Sequence, residues 1–190
     1  MKFFFFLFLI ISSVIFYSCD STENSILTAE NSNINFSDSS EPISKTGAPD
    51  FQITKTIDGL LGGQILFDTS FVDIEGDSVA IHTSLTFEPN SFVGIKDITL
   101  RPDPETGSIR FFPEMKFNIP AKLDLQFSGI NLSRLGFDSN TKVDFVYISD
   151  DGVIQYILKN ECKIKWRTQE LYVKKALLPH FSRYGFIKKY

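Results

Sequence analysis

The stretch KLDLQF, residues 122–127, carries the clearest strand pattern in this chain. Because successive side chains of a β-strand point to opposite faces of a sheet, Leu123, Leu125 and Phe127 share one face. The polar residues between them share the other face. The stretch therefore predicts a strand that buries one face in a core and leaves the other face in solvent.

Similar short runs of apolar and β-branched residues continue from residue 50 onward, and turn residues separate them at intervals of about ten residues. Helix signatures are nearly absent from this part. The pattern is typical of an all-β fold, and we expect an antiparallel β-sandwich over residues 50–190. The predicted strands are FQITKT, GQILF, FVDI, SVAIHTSLTF, GIKDITL, SIRFFP, KLDLQF, KVDFVYI, VIQYIL, CKIKW, ELYVKKALL and HFSRYGFI.

Two segments between these runs predict turns. RPDPETGS, residues 101–108, contains two prolines, which cannot donate a hydrogen bond within a central strand, so it predicts a connection. Asp151 and Gly152 separate two predicted strands, and Asp-Gly suits the positive φ angles of a tight hairpin. Asp150 and Asp151 are alternatively a pair of metal-binding carboxylates, but the distal glutamate of a calcium loop is missing.

The first 19 residues, MKFFFFLFLIISSVIFYSC, have the layout of a secretory signal peptide. Lys2 precedes an apolar run, and a small residue, Ser18, directly precedes Cys19. The apolar run is shorter than the roughly 20 residues that a membrane-spanning helix needs. We expect residues 1–18 to be a removable signal, with a retained membrane anchor as the alternative.

The end of this segment, FYSC, resembles the lipobox of bacterial lipoproteins. The resemblance implies cleavage before Cys19 and acylation of its thiol, with palmitate among the acyl chains. Two or more acyl chains hold a protein stably at a membrane. We therefore expect a lipid-anchored protein of the bacterial cell envelope, in the outer membrane, on a side that the sequence leaves open.

Residues 20–49 are rich in Ser, Asn, Thr and acidic side chains and show little apolar periodicity, which predicts a disordered linker. A coil of this length has an r.m.s. span of roughly 30 Å. The segment holds five acidic residues and a single lysine. Its acids next to Cys19 resemble, alternatively, a sorting signal of surface-exposed lipoproteins in some Gram-negative bacteria.

The composition fits one folded domain with appendages, because 43% hydrophobic and 14% aromatic residues suffice for a core. The formal net charge of the whole chain is −4, whereas residues 159–190 are basic. This basic segment predicts either a solvated outer face of the last strands or a surface for anionic lipid headgroups or an acidic partner. Nucleic acid is not an expected partner of an exported chain. The basic residues are Lys159, Lys163, Lys165, Arg167, Lys174, Lys175, Arg183, Lys188 and Lys189.

The sequence offers few groups for catalysis or metal binding. It contains two histidines, His82 and His180, and neither has a partner at a metal-site spacing, so we expect no metal and no cofactor. His82 lies in a predicted strand and is expected at the surface or half-buried. Once Cys19 carries lipid, Cys162 is the remaining thiol, expected to be buried and unreactive. A conventional enzyme is therefore not predicted.

Three aromatic residues in the predicted strands are candidates for carbohydrate binding. Tyr156, Trp166 and Tyr172 would offer rings to a sugar if they were exposed. Aromatic residues of strands more often belong to the core, however, since they fit a half-buried pleated surface. The sequence leaves both interpretations open.

From about residue 53 the chain resembles bacterial relatives of the ZU-five domain, a β-sandwich known from ankyrins, netrin receptors and a self-cleaving death-domain protein. The matching stretches are GGQILF, LTFEPNSFVGIKDITL, FFPEMKFNIPAKLDLQF and the terminal HFSRYGF. The family's usual PPGA turn is replaced by EPNS at residues 88–91. The resemblance implies a β-sandwich domain over residues 50–190.

In the self-cleaving relatives a His-Phe-Ser triplet breaks its own peptide bond, and this triplet matches His180, Phe181 and Ser182. The resemblance implies attack of the Ser182 hydroxyl on the Phe181 carbonyl, assisted by His180 either as a general base or by polarising the amide, and hydrolysis of the resulting ester by water. Such an attack needs a strained peptide, because a planar amide resists it. The alternative is an ordinary strand, in which His180 and Ser182 point one way and Phe181 anchors the core.

These features together predict a membrane-tethered, non-enzymatic binding or structural module whose ligand is a protein or a glycan. Self-processing between Phe181 and Ser182 is the alternative function.

Overall fold

The computed structural model describes residues 51–157 and 160–189. The expected signal peptide, residues 1–18, lies outside the described residues, and so does the segment 19–49 with the expected lipid site at Cys19. Within the described ranges, no helix is both long and apolar enough to cross a lipid bilayer.

The described chain forms eleven β-strands and one short 3-10 helix. In chain order, the strands are β1 (Ile53–Asp58), β2 (Gly63–Val72), β3 (Ser78–Phe87), β4 (Ile95–Asp103), β5 (Ser108–Phe112), β6 (Lys116–Ser128), β7 (Val143–Ile148), β8 (Ile154–Tyr156), β9 (Glu161–Lys165), β10 (Glu170–His180) and β11 (Arg183–Lys188). The 3-10 helix, Trp166–Thr168, joins β9 to β10.

The strands form two antiparallel sheets. The six-stranded sheet has the order β1-β4-β5-β11-β7-β8, and the five-stranded sheet has the order β2-β3-β6-β10-β9. Each sheet buries its inner face against the other. The predicted all-β class and the antiparallel β-sandwich are therefore confirmed.

The KLDLQF stretch lies in β6, at the centre of the five-stranded sheet between β3 and β10. The side chains of Leu123, Leu125 and Phe127 are almost completely buried, whereas Lys122 and Asp124 are exposed. The predicted alternation is thus confirmed. These three residues belong to the single large hydrophobic cluster described between the sheets.

A cluster of phenylalanine rings fills one end of the core. The ring of Phe181 stacks on Phe111, with 4.9 Å between centroids and 7° between planes. It meets Phe117 edge-on at 4.7 Å and Phe87 at 5.9 Å. Phe92 from the β3–β4 loop joins the group through Phe87, at 5.6 Å. These five rings are named the aromatic cluster below, and each such contact adds about 0.5–1.5 kcal/mol to plain burial.

The strand predictions were wrong at two places where polar residues or prolines interrupt the pattern. GQILF and the first two residues of FVDI are parts of one strand, β2, in which Asp68 and Ser70 occupy exposed positions. RPDPETGS does not begin as a connection, since Arg101–Asp103 complete β4. Pro102 is tolerated there because the pairing of β1 with β4 ends at Leu100, so no described strand on that side requires its missing N–H.

The prediction of a single strand over HFSRYGFI was also wrong. The chain leaves the five-stranded sheet at His180 and enters the six-stranded sheet at Arg183. Phe181 and Ser182 therefore form a crossover between the sheets. The side-chain pattern of the stretch does not show that His180 and Arg183 belong to different sheets.

The predicted hairpin turn at Asp151 and Gly152 is confirmed. It joins β7 to β8, which pair antiparallel, and Gly152 has a φ of 82°. The Asp151 carboxylate accepts hydrogen bonds from the Ser149 hydroxyl and the Val153 backbone N–H, which lower the pKa of the carboxyl. This aspartate organises its own turn.

Candidate functional site

Two parts of the molecule carry polar groups in arrangements that could do chemistry: the crossover at Phe181 and the outer face of the five-stranded sheet. At the crossover, His180 is half-buried and Phe181 is buried at the centre of the aromatic cluster. The backbone N–H of Phe181 donates to the carbonyl of Met115 at 2.7 Å, and the carbonyl of Ser182 accepts from Phe111 N–H at 3.0 Å. Backbone hydrogen bonds thus hold the residues on both sides of the peptide bond between Phe181 and Ser182.

Tyr184 fixes the crossover from the far side. Its hydroxyl donates to the backbone carbonyl of His180 at 2.6 Å and lies 3.5 Å from the Nδ1 atom of the same residue. A tyrosine that returns to the backbone a few residues upstream also stabilises corners of immunoglobulin-type sandwiches. The ring of Tyr147 packs edge-on against the His180 imidazole, with 4.6 Å between centroids. The rings of Tyr147 and Tyr184 thus both pack against the imidazole.

This enclosure decides the charge of His180. Burial has the largest effect and lowers the pKa of the imidazole. A hydrogen bond with the Phe181 backbone and the charge of Glu114 oppose this shift, whereas Lys116 adds to it. The imidazole is therefore neutral at neutral pH and free to accept a proton, which is what a general base requires.

The backbone at the crossover shows no left-handed residue. The non-glycine residues with positive φ in the described chain lie elsewhere, so neither Phe181 nor Ser182 is in the left-handed region.

The second arrangement lies on the outer face of the five-stranded sheet. The β2–β3 hairpin register places Asp68 opposite His82, and the carboxylate Oδ1 lies 2.8 Å from the imidazole Nδ1. Both side chains are more than half exposed. The prediction that His82 lies at the surface or half-buried is confirmed, whereas its partner Asp68 was not predicted. The signal was available, because a hairpin centred on the turn after Val72 pairs these two positions.

A β-bulge fixes the third polar group of this face. The pairing of β10 with β6 shifts between Val173 and Ala176, and Lys175 takes a φ of 56°. Its backbone N–H then donates to the Asp124 carboxylate at 2.7 Å. Bulges often redirect side chains at functional sites. Here the bulge holds the Asp124 side chain in place.

Between these groups lies a shallow open groove of about 150 Å³. Its lining includes Asp68, His82, Asp124, Gln126 and Tyr172. The volume is below the roughly 300–1,000 Å³ of pockets that enclose a small molecule. The groove therefore suits a small group that lies across the sheet surface, as part of a larger ligand.

Ser84 lies beside His82 on the same face. With Asp68, these residues are of the three types found in a serine, histidine and aspartate catalytic triad. Its hydroxyl accepts a hydrogen bond from the Gln64 amide at 2.9 Å. A nucleophilic serine needs a hydrogen bond to the imidazole. The hydrogen bond observed for Ser84 goes to Gln64 instead, and this geometry does not form a hydrolytic triad.

The three candidate aromatic residues are not assembled on one surface. Tyr156 is exposed on β8, an edge strand of the six-stranded sheet. Trp166 packs against the core, and Tyr172 is half-buried on the outer face of the five-stranded sheet. The ammonium groups of Lys165 and Lys174 lie 5.4 Å and 5.6 Å from the Tyr172 ring centroid. Of the three aromatic residues, Tyr172 is the one that lines the groove.

The remaining thiol is poorly suited to chemistry. Cys162 lies on β9 and packs against the core, and burial raises the pKa of its thiol to about 12. A protonated thiol is a weak nucleophile. The prediction of an unreactive Cys162 agrees with this environment.

The β2–β3 turn, at the end of the sandwich opposite the crossover, carries a cluster of acidic residues that was not predicted from the sequence. The carboxylates of Asp73, Glu75 and Asp77 lie within 4.8 Å of one another in the β2–β3 turn. The Asp73 carboxylate accepts the backbone N–H groups of Glu75 and Asp77, both at 2.9 Å. It therefore has a structural role in closing the turn.

Comparisons of the chain with protein-family models, with curated proteins and with solved structures find no match. The resemblance to the ZU-five domain stays a prediction made from the sequence.

Proposed function

We propose that this chain is a lipid-anchored protein of the bacterial envelope whose ZU-five-like β-sandwich works as a non-enzymatic binding module. Cys19 would carry the lipid, residues 20–49 would form the tether, and the sandwich would present a ligand-binding face. The groove on the five-stranded sheet supports this proposal, because it gathers fixed polar groups on an otherwise regular sheet surface.

Of the two ligand classes expected from the sequence, the groove favours a glycan. Asp124 is held by the bulge and Asp68 by His82, so neither carboxylate has to be ordered when a ligand binds. Carboxylates and the Gln126 amide can hydrogen-bond sugar hydroxyls, and Tyr172 adds an aromatic ring beside them. The groove is small enough for one sugar unit of a longer chain.

A glycan array tests the binding function. The chain of residues 20–190 should bind a subset of glycans, and Asp124→Ala together with Gln126→Ala should remove that binding. Tyr156→Ala, on the other sheet, serves as the matched control and should retain it. Binding that survives the double substitution would move the ligand site away from the groove, and a blank array would remove the glycan from the proposal.

The anchor is tested separately in bacterial cells. Replacing Cys19 by Ala should move the protein from the membrane fraction to the soluble fraction, because the acyl chains are lost. Cys162→Ala is the matched control and should leave the protein in the membrane fraction. Membrane association that persists in the Cys19→Ala variant would point to a retained apolar anchor instead.

A second candidate function is self-processing at the crossover. The neutral, half-buried imidazole of His180 next to the bond between Phe181 and Ser182 favours it. The Ser182 hydroxyl oxygen would bond to the Phe181 carbonyl carbon, the C–N bond would break, and the hydroxyl proton would pass through His180 to the Ser182 nitrogen. Water would then hydrolyse the ester, leaving a carboxylate on Phe181 and a free amine on Ser182.

Cleavage at this bond would not by itself separate the two fragments. The strand β11 follows the bond directly and pairs with both β5 and β7 inside the six-stranded sheet. Intact mass spectrometry under denaturing and native conditions therefore distinguishes the outcomes. Two fragments in denaturant but one native species would support self-processing, with Ser182→Ala restoring one chain, whereas a single intact chain in denaturant would end the idea.

A further inference from the structure

Four large aliphatic side chains are exposed at one end of the sandwich. Leu60 and Leu61 lie in the β1–β2 connection, Val93 lies in the β3–β4 connection, and Ile95 is the first residue of β4. Their exposed fractions are 56%, 76%, 78% and 65%. These four residues are named the apolar tip. Large exposed apolar patches mark sites of interaction with proteins, ligands or membranes.

The two connections of the apolar tip are joined to each other by backbone hydrogen bonds. Gly59 N–H donates to the carbonyl of Gly94 at 3.0 Å, and Asn90 N–H donates to the carbonyl of Leu60 at 3.2 Å. The backbone N–H of Leu60 donates to the Asp58 carboxylate at 2.9 Å. Both backbone polar groups of Leu60 are therefore satisfied within the protein, which is a requirement for entering a lipid bilayer.

The buried residue Phe92 also supports the apolar tip. Phe92 directly precedes Val93 in the β3–β4 connection, and its buried ring belongs to the aromatic cluster. A Cβ atom at Gly59 would lie 2.2 Å from the Phe92 carbonyl oxygen, so the glycine permits this close approach. The exposed side chains thus stand on a fixed base. Little conformational entropy is lost when such a surface binds.

The composition of the apolar tip favours lipid over a protein partner. Protein interfaces draw their affinity from Trp, Tyr and Arg, whereas Leu and Val are under-represented among the residues that matter. The tip consists of Leu, Val and Ile, whose side chains favour the hydrocarbon region of a bilayer.

The length of chain before the sandwich brings the tip within reach of a membrane. The 30 or so residues expected to link Cys19 to β1 span roughly 30 Å as a coil. β1 then runs from Ile53 to Asp58, over roughly 20 Å, and ends at the tip. An anchored domain therefore samples the membrane surface at a high effective concentration, so even weak insertion becomes favourable.

We propose that the apolar tip inserts into the outer acyl region of the lipid bilayer and gives the domain a second, reversible membrane contact. This inference rests on the proposed lipid anchor, because the tether keeps the tip near the membrane. It sets the orientation of the sandwich, with the crossover end against the lipid and the β2–β3 turn away from it.

The first experiment replaces the natural anchor, so that its result does not depend on lipidation. The chain of residues 20–190, with an N-terminal histidine tag, is held on phosphatidylcholine vesicles that contain a nickel-chelating lipid. An environment-sensitive fluorophore is attached at Leu61→Cys or, as the matched control, at Ile74→Cys, both in a Cys162→Ala background. Ile74 is 75% exposed and lies in the β2–β3 turn at the opposite end.

We expect a blue shift and quenching by spin-labelled lipid tails at position 61, and a water-like signal at position 74. A water-like signal at both positions would overturn the proposal. Failure of the Cys19→Ala fractionation test with a positive result here would remove the natural anchor but keep the tip, so the two proposals fail separately.

The second experiment measures the partitioning of the untagged chain into vesicles. Leu60→Asp together with Leu61→Asp should reduce the partition coefficient at least about tenfold, since both side chains lose their transfer into lipid. Val72→Asp together with Ile74→Asp should leave it unchanged, and thermal melts monitor folding of each variant. Equal binding by both double variants would overturn the proposal.

Salt and lipid charge separate insertion from adsorption through the basic segment of residues 159–190. Insertion should occur on neutral and anionic vesicles alike and persist at about 0.5 M salt, where charge attraction is screened. Binding only to anionic vesicles, lost in salt, would overturn the proposal in favour of the lysine-rich strands. A dimer in solution that the Leu60 and Leu61 substitutions dissolve would assign the tip to a second copy of the chain and would also overturn it.

Discussion

The two ends of this sandwich are built in different ways. At the crossover end, the chain passes between the sheets at the β1–β2, β3–β4 and β5–β6 connections and again at Phe181, and the aromatic cluster fills the core at this end. At the opposite end, the β2–β3 turn stays within one sheet, and the Asp73 carboxylate closes it by accepting two backbone N–H groups. The crossover end depends on packing between distant segments, whereas the β2–β3 turn is closed by its own local hydrogen bonds.

This difference shows that exposed apolar residues do not imply a loose structure. The crossover end is apolar outside, at Leu60 and Leu61, and also apolar inside, at the aromatic cluster. Its surface is held by contacts between segments that are far apart in sequence. A substitution there should affect the whole fold, whereas one in the β2–β3 turn should have a local effect.

The largest contrast is expected from phenylalanine truncations. Phe181→Ala should lower the free energy of unfolding by about 3–5 kcal/mol, because it leaves a cavity among buried rings. Phe71→Ala, near the opposite end, should cost clearly less, since its ring is half-buried and contacts Phe51 at the domain edge. Urea unfolding followed by circular dichroism measures both, and equal losses would contradict the comparison.

Two glycines with similar φ angles test the same difference between the crossover end and the β2–β3 turn. Gly62 and Gly76 have φ values of 74° and 89°, so alanine at either position should cost about 1–2 kcal/mol in backbone strain. At Gly62 the new Cβ atom would also lie 2.5 Å from the Phe87 carbonyl oxygen, whereas nothing lies within 4 Å at Gly76. Gly62→Ala should therefore be at least about 1 kcal/mol worse in denaturant titrations. Identical values would mean that the connections at the crossover end can separate.

Removal of one hydroxyl tests the crossover itself. Tyr184→Phe should cost about 1–3 kcal/mol, because the His180 carbonyl loses its 2.6 Å hydrogen bond in a part-buried site. Tyr172→Phe on the outer face is the matched control and should change stability by less than about 0.5 kcal/mol. Thermal unfolding gives both numbers, and a neutral Tyr184→Phe would show that packing alone holds the crossover.

The smallest effect is a pH dependence. Because the pKa of His180 is lowered from 6.5 in the fold, the unfolded chain binds its proton more readily. The free energy of unfolding should therefore be highest above pH 6.5 and fall as the pH drops from about 7 toward the folded pKa. His180→Gln should flatten this region, whereas His82→Gln should retain the loss. A wild-type curve that is flat between about pH 7 and 5.5 would contradict the burial of His180.

The sequence predicted the fold well where a strand has one solvent-exposed face and one buried face. KLDLQF shows its alternation because β6 lies at the centre of a sheet whose outer face is solvated. It predicted less well where chain direction changes, as in HFSRYGFI, because alternation is the same in either sheet. Pro102 was misread for a related reason, since tolerance of a proline depends on where the neighbouring strand ends.

The candidate groups were predicted one by one but not as arrangements. His180, Phe181 and Ser182 were found because they are consecutive. The partner of His82 was missed because Asp68 is fourteen residues away and is placed by hairpin register. The apolar tip was not predicted because its residues lie in two segments far apart in sequence, which backbone hydrogen bonds join in the fold.

The position of β11 has a consequence for biosynthesis. Residues 183–188 are made last among the described strands, yet they occupy the slot between β5 and β7. Until they leave the ribosome, the six-stranded sheet remains divided into two unpaired halves, and its core stays open to water. Such a domain completes its folding only after synthesis of its last strand.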